Sequence, residues 1–403
     1  MGYEDITIVA LFILVYAAIS GRADRTMING ALVFTSFGFI VGNSGLGLLD
    51  LNVTSEGLRV LAELTLALVL FTDAANADLG VLRKTIAVPR RLLTIGLPIT
   101  ILFGTLVGAL IFPGLDLIEV ALLATILAPT DAALGKAVVS NQSVPVGIRQ
   151  GLNVESGLND GICVPILFVF LALATGEAAP QSSGILALKL VSEEIGIGLV
   201  VGIGLTFPIS QFLRVAAERG WMNESWSQLP VTALAVCCFS AAQWFGGSGF
   251  IAAFSGGLLF GWLAGKAKVG VLLTAEGTGD ILTLITWVVF GATIVGMGMG
   301  LINWQIVCYA LLSLTVIRIL PVWLCLIGTG PRIAEKLFIG WFGPRGLASI
   351  VFAVIVLNKN LPGGATIAAT VACTIVLSVI THGLSANPLA MRLARSEESQ
   401  GDH

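Results

Sequence analysis

Residues 153–161 read NVESGLNDG, with VPVG before them and ICVPILFVFLALA after. Side chains four apart share a helix face, so Glu155 aligns with Asn159 and Ser156 with Asp160. These are two polar stripes with two different tasks. An ionised group at the centre of an apolar helix costs about 2.5–3.5 kcal/mol on insertion scales and calls for a partner. For Glu155 the sequence offers Arg318 in the otherwise apolar TVIRILPVW, and the expected result is a buried, structural ion pair steadied by donation from the Asn159 amide. Asp160 has no obvious fixed partner. With Ser156 and a carbonyl freed at Thr130 it makes an all-oxygen set suited to a bare alkali cation, whereas a transition metal would call for imidazole or thiolate. The plainer reading of the stretch is a polar contact between membrane helices, which Asn and Ser also provide.

The elements that must hold these residues follow from composition. Of 403 residues, 56% are hydrophobic and 11% charged, and the mean hydropathy is +0.96, values that exclude a soluble globular domain. Apolar stretches of about 20 residues recur along the chain, the length a helix needs to cross a bilayer core, whereas a barrel would show alternating strands of about ten. The fold class is therefore an all-α polytopic membrane protein. Runs and breaks place about thirteen transmembrane helices near 5–20, 28–47, 57–75, 91–112, 116–138, 146–174, 185–213, 228–244, 248–265, 276–297, 302–327, 334–357 and 362–391. The first run lacks a small-residue cleavage site and reads as an uncleaved helix. No stretch is long enough for an independent soluble domain.

Basic residues test this layout, because Lys and Arg collect on cytoplasmic loops. The odd-numbered loops and the tail carry sixteen, the opposite side only Arg59, Lys189 and Lys359, and Arg318 and Arg345 lie inside spans. This puts the amino terminus outside and the carboxyl terminus in the cytoplasm of a cell (inner) membrane. The net charge of −3 says little about partners once the basic residues are sorted by side. The six cysteines show no paired ligand spacing, two histidines make no zinc site, and no phosphate-binding loop is present. Neither a cofactor nor a nucleic-acid partner is expected.

Thirteen spans suggest a single transporter domain arranged six, one, six: a first repeat at 5–174, a linker helix at 185–213, an inverted second repeat at 228–391, and a short tail at 392–403. Inverted repeats of this kind place discontinuous helices and a substrate site near the bilayer midplane. The fifth span carries APTDAALG, with Pro129 and Thr130 in its middle, and its repeat mate, the twelfth, carries GPRG at 343–346. Both are helix breakers beside a charge. Asp131 can face helix amino ends there and Arg345 carboxyl ends, offsetting the partial charges that discontinuity exposes.

In order along the chain, APTD, ESGLNDG, VIRILP, GPRG and THGLSANPL closely resemble the electroneutral sodium/proton antiporters of the monovalent cation:proton antiporter superfamily. The resemblance covers nearly the whole chain. It implies a dimerisation domain and a moving core, a homodimer, elevator-like alternating access, and Na⁺ and H⁺ as substrates. It assigns ion-site roles to Thr130, Asp131, Glu155, Ser156, Asn159 and Asp160, with Na⁺ at Asp160, Ser156 and Thr130. Arg318 and Arg345 correspond to the family's two membrane arginines, and either could meet Glu155. The Asn159–Asp160 order resembles the electroneutral branch, and the end of the chain soon after the last span argues against a long regulatory tail. Independently, Asp131, Glu155, Asp160, Arg318 and Arg345 sum to −1 when charged, so one monovalent cation or one proton neutralises the core. That count takes Glu63, Glu193 and Glu194 to be solvated, paired or protonated. Exchange of K⁺, or of Li⁺, for H⁺ stays open, because oxygen ligands alone do not set the cavity size. An intramembrane aspartyl protease built on GTGD at 277–280 is the reading from another class; it rests on four residues and on Asp280 near a helix start.

Overall fold

A computed structural model describes residues 2–23, 30–49, 56–77, 87–131, 134, 144–176, 183–223, 226–265 and 268–401. Every regular element among them is helical, as a bilayer core requires of a backbone that must satisfy its own hydrogen bonds. In chain order these are α1 (Tyr3–Ala23), α2 (Gly30–Val41), α3 (Glu56–Asn76), α4 (Ala87–Ile111), α5 (Leu117–Ile126), α6 (Val146–Ala174) and α7 (Ser183–Glu218). There follow α8 (Pro230–Trp244), α9 (Gly249–Ala264), α10 (Lys268–Phe290), α11 (Trp304–Cys325, bent at Thr315), α12 (Ile333–Trp341), α13 (Leu347–Asn358) and α14 (Gly364–Gly401). Among the described residues, seven helical stretches are long and apolar enough to cross a membrane, and four shorter apolar helices accompany them.

The fifth and twelfth spans break where their Pro and Gly residues lead one to expect: α5 stops at Ile126, and residues 342–346 separate α12 from α13. The remainder of the fifth span, 132–133 and 135–138, lies outside the described residues. Other boundaries differ from the expected ones for physical reasons. Helix α10 begins eight residues earlier than hydropathy indicates, because its polar first turns are held by side chains: Asn76 donates to Glu276 at 2.6 Å and Thr274 to Gln228 at 3.1 Å. Helix α14 runs on through most of the expected tail.

The chain divides into two compact units. One comprises Met1–Arg59, Thr85–Asn159 and Leu284–His403, the other Val60–Lys84 and Asp160–Thr283, and α6 belongs to the first up to Asn159. In the first unit a buried apolar cluster joins five helices, with Leu92 from α4, Ile148 from α6, Val322 from α11, Ile339 from α12 and Ala390 from α14. The start of α5 is fixed by a capping box, in which Asp116 accepts from Ile118 and Glu119 from Asp116. Glu119 also accepts from Gly363 at 2.7 Å, which ties α5 to the start of α14.

In the second unit α9 lies directly on α3, because Gly257 and Gly261 present no side chain to the backbone of Phe71 and Ala75. A leucine at Gly261 should therefore lower the melting temperature of the detergent-purified protein, in line with an overpacking cost of about 1–3 kcal/mol. Gly204→Ala, whose added methyl meets nothing within 4 Å, should leave it unchanged or slightly higher. Equal melting temperatures would contradict this packing.

Candidate functional site

The site is built on the non-helical stretch that follows α5 and on the interruption between α12 and α13. Pro129 and Pro344 each lack the N–H that a continuing helix needs, and both interruptions fall on them. The loose ends bond to one another: the Asp131 N–H donates to the Pro344 carbonyl at 2.8 Å, and the Leu347 N–H, at the start of α13, donates to Asp131 Oδ2 at 3.0 Å. Asp131 Oδ1 accepts from the Leu134 N–H at 3.2 Å. Arg345 serves the opposite polarity. Its Nη1 donates to the carbonyls of Ala128 and Pro129, just past α5, at 2.7 and 3.1 Å, and its Nη2 to Ser313 before the bend in α11 at 3.3 Å. A carboxylate thus meets a helix amino end and a guanidinium meets carboxyl ends, the signs that helix dipoles favour.

The two glycines of GPRG make room for this arrangement. A Cβ at Gly343 would stand 2.7 Å from Arg318 Nε and 3.0 Å from Thr130 Cγ2, and one at Gly346 would run into the Asp131 carboxylate. Helix α6 brings the acidic stripes to the same region. Glu155, Ser156, Asn159 and Asp160 are all buried, at 1%, 7%, 0% and 8% exposure. Glu155 Oε1 lies 2.5 Å from Arg318 Nη2 on α11, so the pair is with Arg318 and not with Arg345. The contact is made at one point. Glu155 Oε2 and Arg318 Nε and Nη1 are buried without a hydrogen-bond partner among the described residues.

Asn159 departs from expectation. Its amide donates not to Glu155 but to the Thr130 hydroxyl, at 2.7 Å. The interruption after α5 carries that hydroxyl onto α6, where it also lies 3.0 Å from Ser156 Oγ. Because the Thr130 hydroxyl accepts from Asn159, its own proton is available to Ser156, which leaves a Ser156 lone pair for a cation. Arg345 takes the carbonyls of Ala128 and Pro129 and stops short of Thr130, whose carbonyl accepts no hydrogen bond among the described residues. Asp160 is the next residue of α6, one turn beyond Ser156.

The transmembrane sodium/hydrogen exchanger family matches residues 8–392. The chain belongs to that family. It is a family of transporters and not of enzymes, and its members are multi-pass membrane proteins, so the protease reading of Asp280, an exposed residue, is set aside. Among relatives, the K⁺/H⁺ antiporter NhaP2 of Shewanella oneidensis is 23% identical over 96% of this chain and 66% of its own length. The K⁺/H⁺ antiporter NhaP of Alkalimonas amylolytica is 26% identical over 98% and 68%, and the Na⁺/H⁺ antiporter of Schizosaccharomyces pombe 26% over 70% and 66%. The chain thus spans about two thirds of the length of these curated relatives. The solved sodium proton antiporter MjNhaP1 of Methanocaldococcus jannaschii shares the fold, with a TM-score of 0.80 at 22% identity over 97% of this chain and 98% of that one.

Within this exchanger fold, sequence reasoning missed Ser349, Ser378 and His382. Ser349 donates to the Ile126 carbonyl at the end of α5 at 2.7 Å, and Ser378 accepts the Arg345 N–H at 2.8 Å. A signal was present in the four-residue spacing of Ser378 and His382, two polar residues on one face of an apolar span. The acids taken as peripheral are unlike one another: Glu63 is buried, Glu194 half-buried and Glu193 exposed, and each is engaged in an interaction.

The ion pair carries a stability prediction. Removing one partner strands a buried charge, at about 3–5 kcal/mol, so Glu155→Ala and Arg318→Ala should each melt well below the parent, and further below it than Asp160→Asn. The double variant should lose clearly less than the two single losses added together. Additive losses in thermal melts would show that the two groups do not depend on each other.

Proposed function

We propose that the chain is an electroneutral antiporter exchanging one Na⁺ or Li⁺ for one H⁺, with both ions competing for Asp160. The observation that supports this most is the oxygen cluster of Thr130 and Ser156 one turn from Asp160 on α6. Asp160 holds either the cation or the proton, and Ser156 and the Thr130 carbonyl supply neutral oxygens to a desolvated alkali ion. Asn159 orients Thr130. Glu155 stays committed to Arg318, and Asp131 and Arg345 hold the helix ends. With these five groups summing to −1, an occupied site is neutral and an empty one is not, so only the loaded core crosses the apolar barrier cheaply. Obligatory exchange follows.

The same reading takes the chain as thirteen crossings in a six-one-six inverted repeat, with repeats at 5–174 and 228–391 about a linker at 185–213. In this arrangement α5 and the α12–α13 pair are the discontinuous elements at the midplane. It takes the amino terminus as external, the carboxyl terminus as cytoplasmic, and the working unit as a homodimer. A second reading, K⁺/H⁺ exchange at the same residues, is favoured by the names of the Shewanella and Alkalimonas relatives.

In proteoliposomes carrying a pH dye, adding Na⁺ or Li⁺ should release protons from the lumen, and Asp160→Asn should fold and insert yet exchange nothing. A response to K⁺ alone would select the second reading, and undiminished flux from Asp160→Asn would remove Asp160 from the site. The rate should not change when a potential is imposed, although 100 mV is worth about 2.3 kcal/mol per moved charge. Competition also sets a pH dependence: apparent cation affinity falls as protons fill Asp160, and turnover slows at high pH when none is available for the return step. Rates proportional to applied potential would overturn the one-for-one stoichiometry.

A further inference from the structure

We propose that His382 is a positioning residue for the cation site, acting through the interrupted segment between α12 and α13; this rests on the assignment of Thr130 and Ser156 as cation ligands. The ring is 3% exposed, on α14. Its Nε2 lies 2.8 Å from the Trp341 carbonyl, at the last residue of α12. Carbonyls in a helix's last turn have no partner within the helix, and this one is met from outside by the ring and by the Gly343 N–H at 2.8 Å. Both ring nitrogens face a carbonyl, Nε2 that of Trp341 and Nδ1 that of Ser378 at 2.9 Å, but only Nδ1 also has a hydroxyl beside it, that of Ser378 at 3.1 Å. The neutral tautomer that pairs both nitrogens therefore carries its proton on Nε2 and accepts at Nδ1 from the Ser378 hydroxyl.

The Ser378 oxygen that serves the ring also accepts the Arg345 N–H at 2.8 Å. One imidazole therefore holds the interruption at its entry, through Trp341, and at its interior, through Ser378 and Arg345. The Trp341 indole adds a third attachment to α14 by donating to Ser385 at 2.9 Å, and its ring packs 5.2 Å from that of His382. From Arg345 the path continues in the guanidinium, which grips Ala128 and Pro129 immediately before Thr130. Loosening the ring at one end of this path loosens the oxygens of the site at the other. A donor at one end and an acceptor at the other are both required, which glutamine reproduces and leucine does not.

The test uses the full chain in proteoliposomes. His382→Leu and Ser378→Ala should each raise the Na⁺ concentration for half-maximal exchange by up to about tenfold, the scale of one or two lost hydrogen bonds, with the maximal rate changed less than about twofold. His382→Gln should return it to within about twofold of the parent. Parental half-maximal concentrations in both His382→Leu and Ser378→Ala would overturn the proposal, and so would a His382→Gln as impaired as His382→Leu. Should His382→Leu fail to fold, Ser378→Ala and His382→Gln still decide it. The ring itself is read without transport: with ¹⁵N-histidine in a His403→Gln background, its nitrogen shifts should report a proton on Nε2 and none on Nδ1, and the reverse tautomer would overturn the clamp. If the parent moves no alkali cation, the exchange reading falls, and the nitrogen shifts still decide how the ring is held.

Discussion

A helix that stops inside a hydrocarbon layer leaves up to four N–H or C=O groups at its end without partners, and no water is there to take them. The rest of this site depends on how that constraint is met. Asp131 takes the amino end of α13 and Arg345 the carbonyls after α5, while the Asp131 N–H reaches across to Pro344. Each interruption is completed by the other. An oxygen-lined site can therefore exist in an apolar surround without either break collapsing into continuous helix, and glycine at 343 and 346 is the steric condition for it.

Once the breaks are stabilised by fixed charges, α6 separates two kinds of carboxylate. Glu155 is neutralised by Arg318 and made part of the frame, at the cost of buried polar atoms that the single-point contact leaves unsatisfied. Ser156 and Thr130 share a hydrogen bond that, on the proposed reading, is exchanged for coordination to an ion, and Asp160 follows on the next turn. The frame resists change and the site accommodates it. The distinction is drawn by a shift of one residue along a helix, which moves a side chain by about 100°.

Much of this was legible in the sequence. Hydropathy and the proline-glycine breaks located the helices and both interruptions, because a bilayer core forces long apolar runs and makes a charged GPRG conspicuous. The scarcity of membrane cations limited the partners of Glu155 to Arg318, the favoured one, and Arg345, and the structure selects Arg318. What was not legible depends on which loop oxygen reaches which side chain. Asn159 was assigned to the nearest charge on its own face, and the structure gives it to Thr130, a residue 29 positions away that only the end of α5 brings into range. The roles of Ser378 and His382 were hidden for the same reason, since their partners Arg345 and Trp341 belong to a segment whose path hydropathy does not determine.

On the proposed reading, cation and proton occupy one carboxylate in turn. This alternation is tested most directly by proton release from the purified protein in weakly buffered detergent, at a pH where the site holds its proton. Adding saturating cation to the parent should release one proton for each cation bound, and adding it to Asp160→Asn should release none. Cation binding without proton release in the parent, or undiminished release from the variant, would contradict the account.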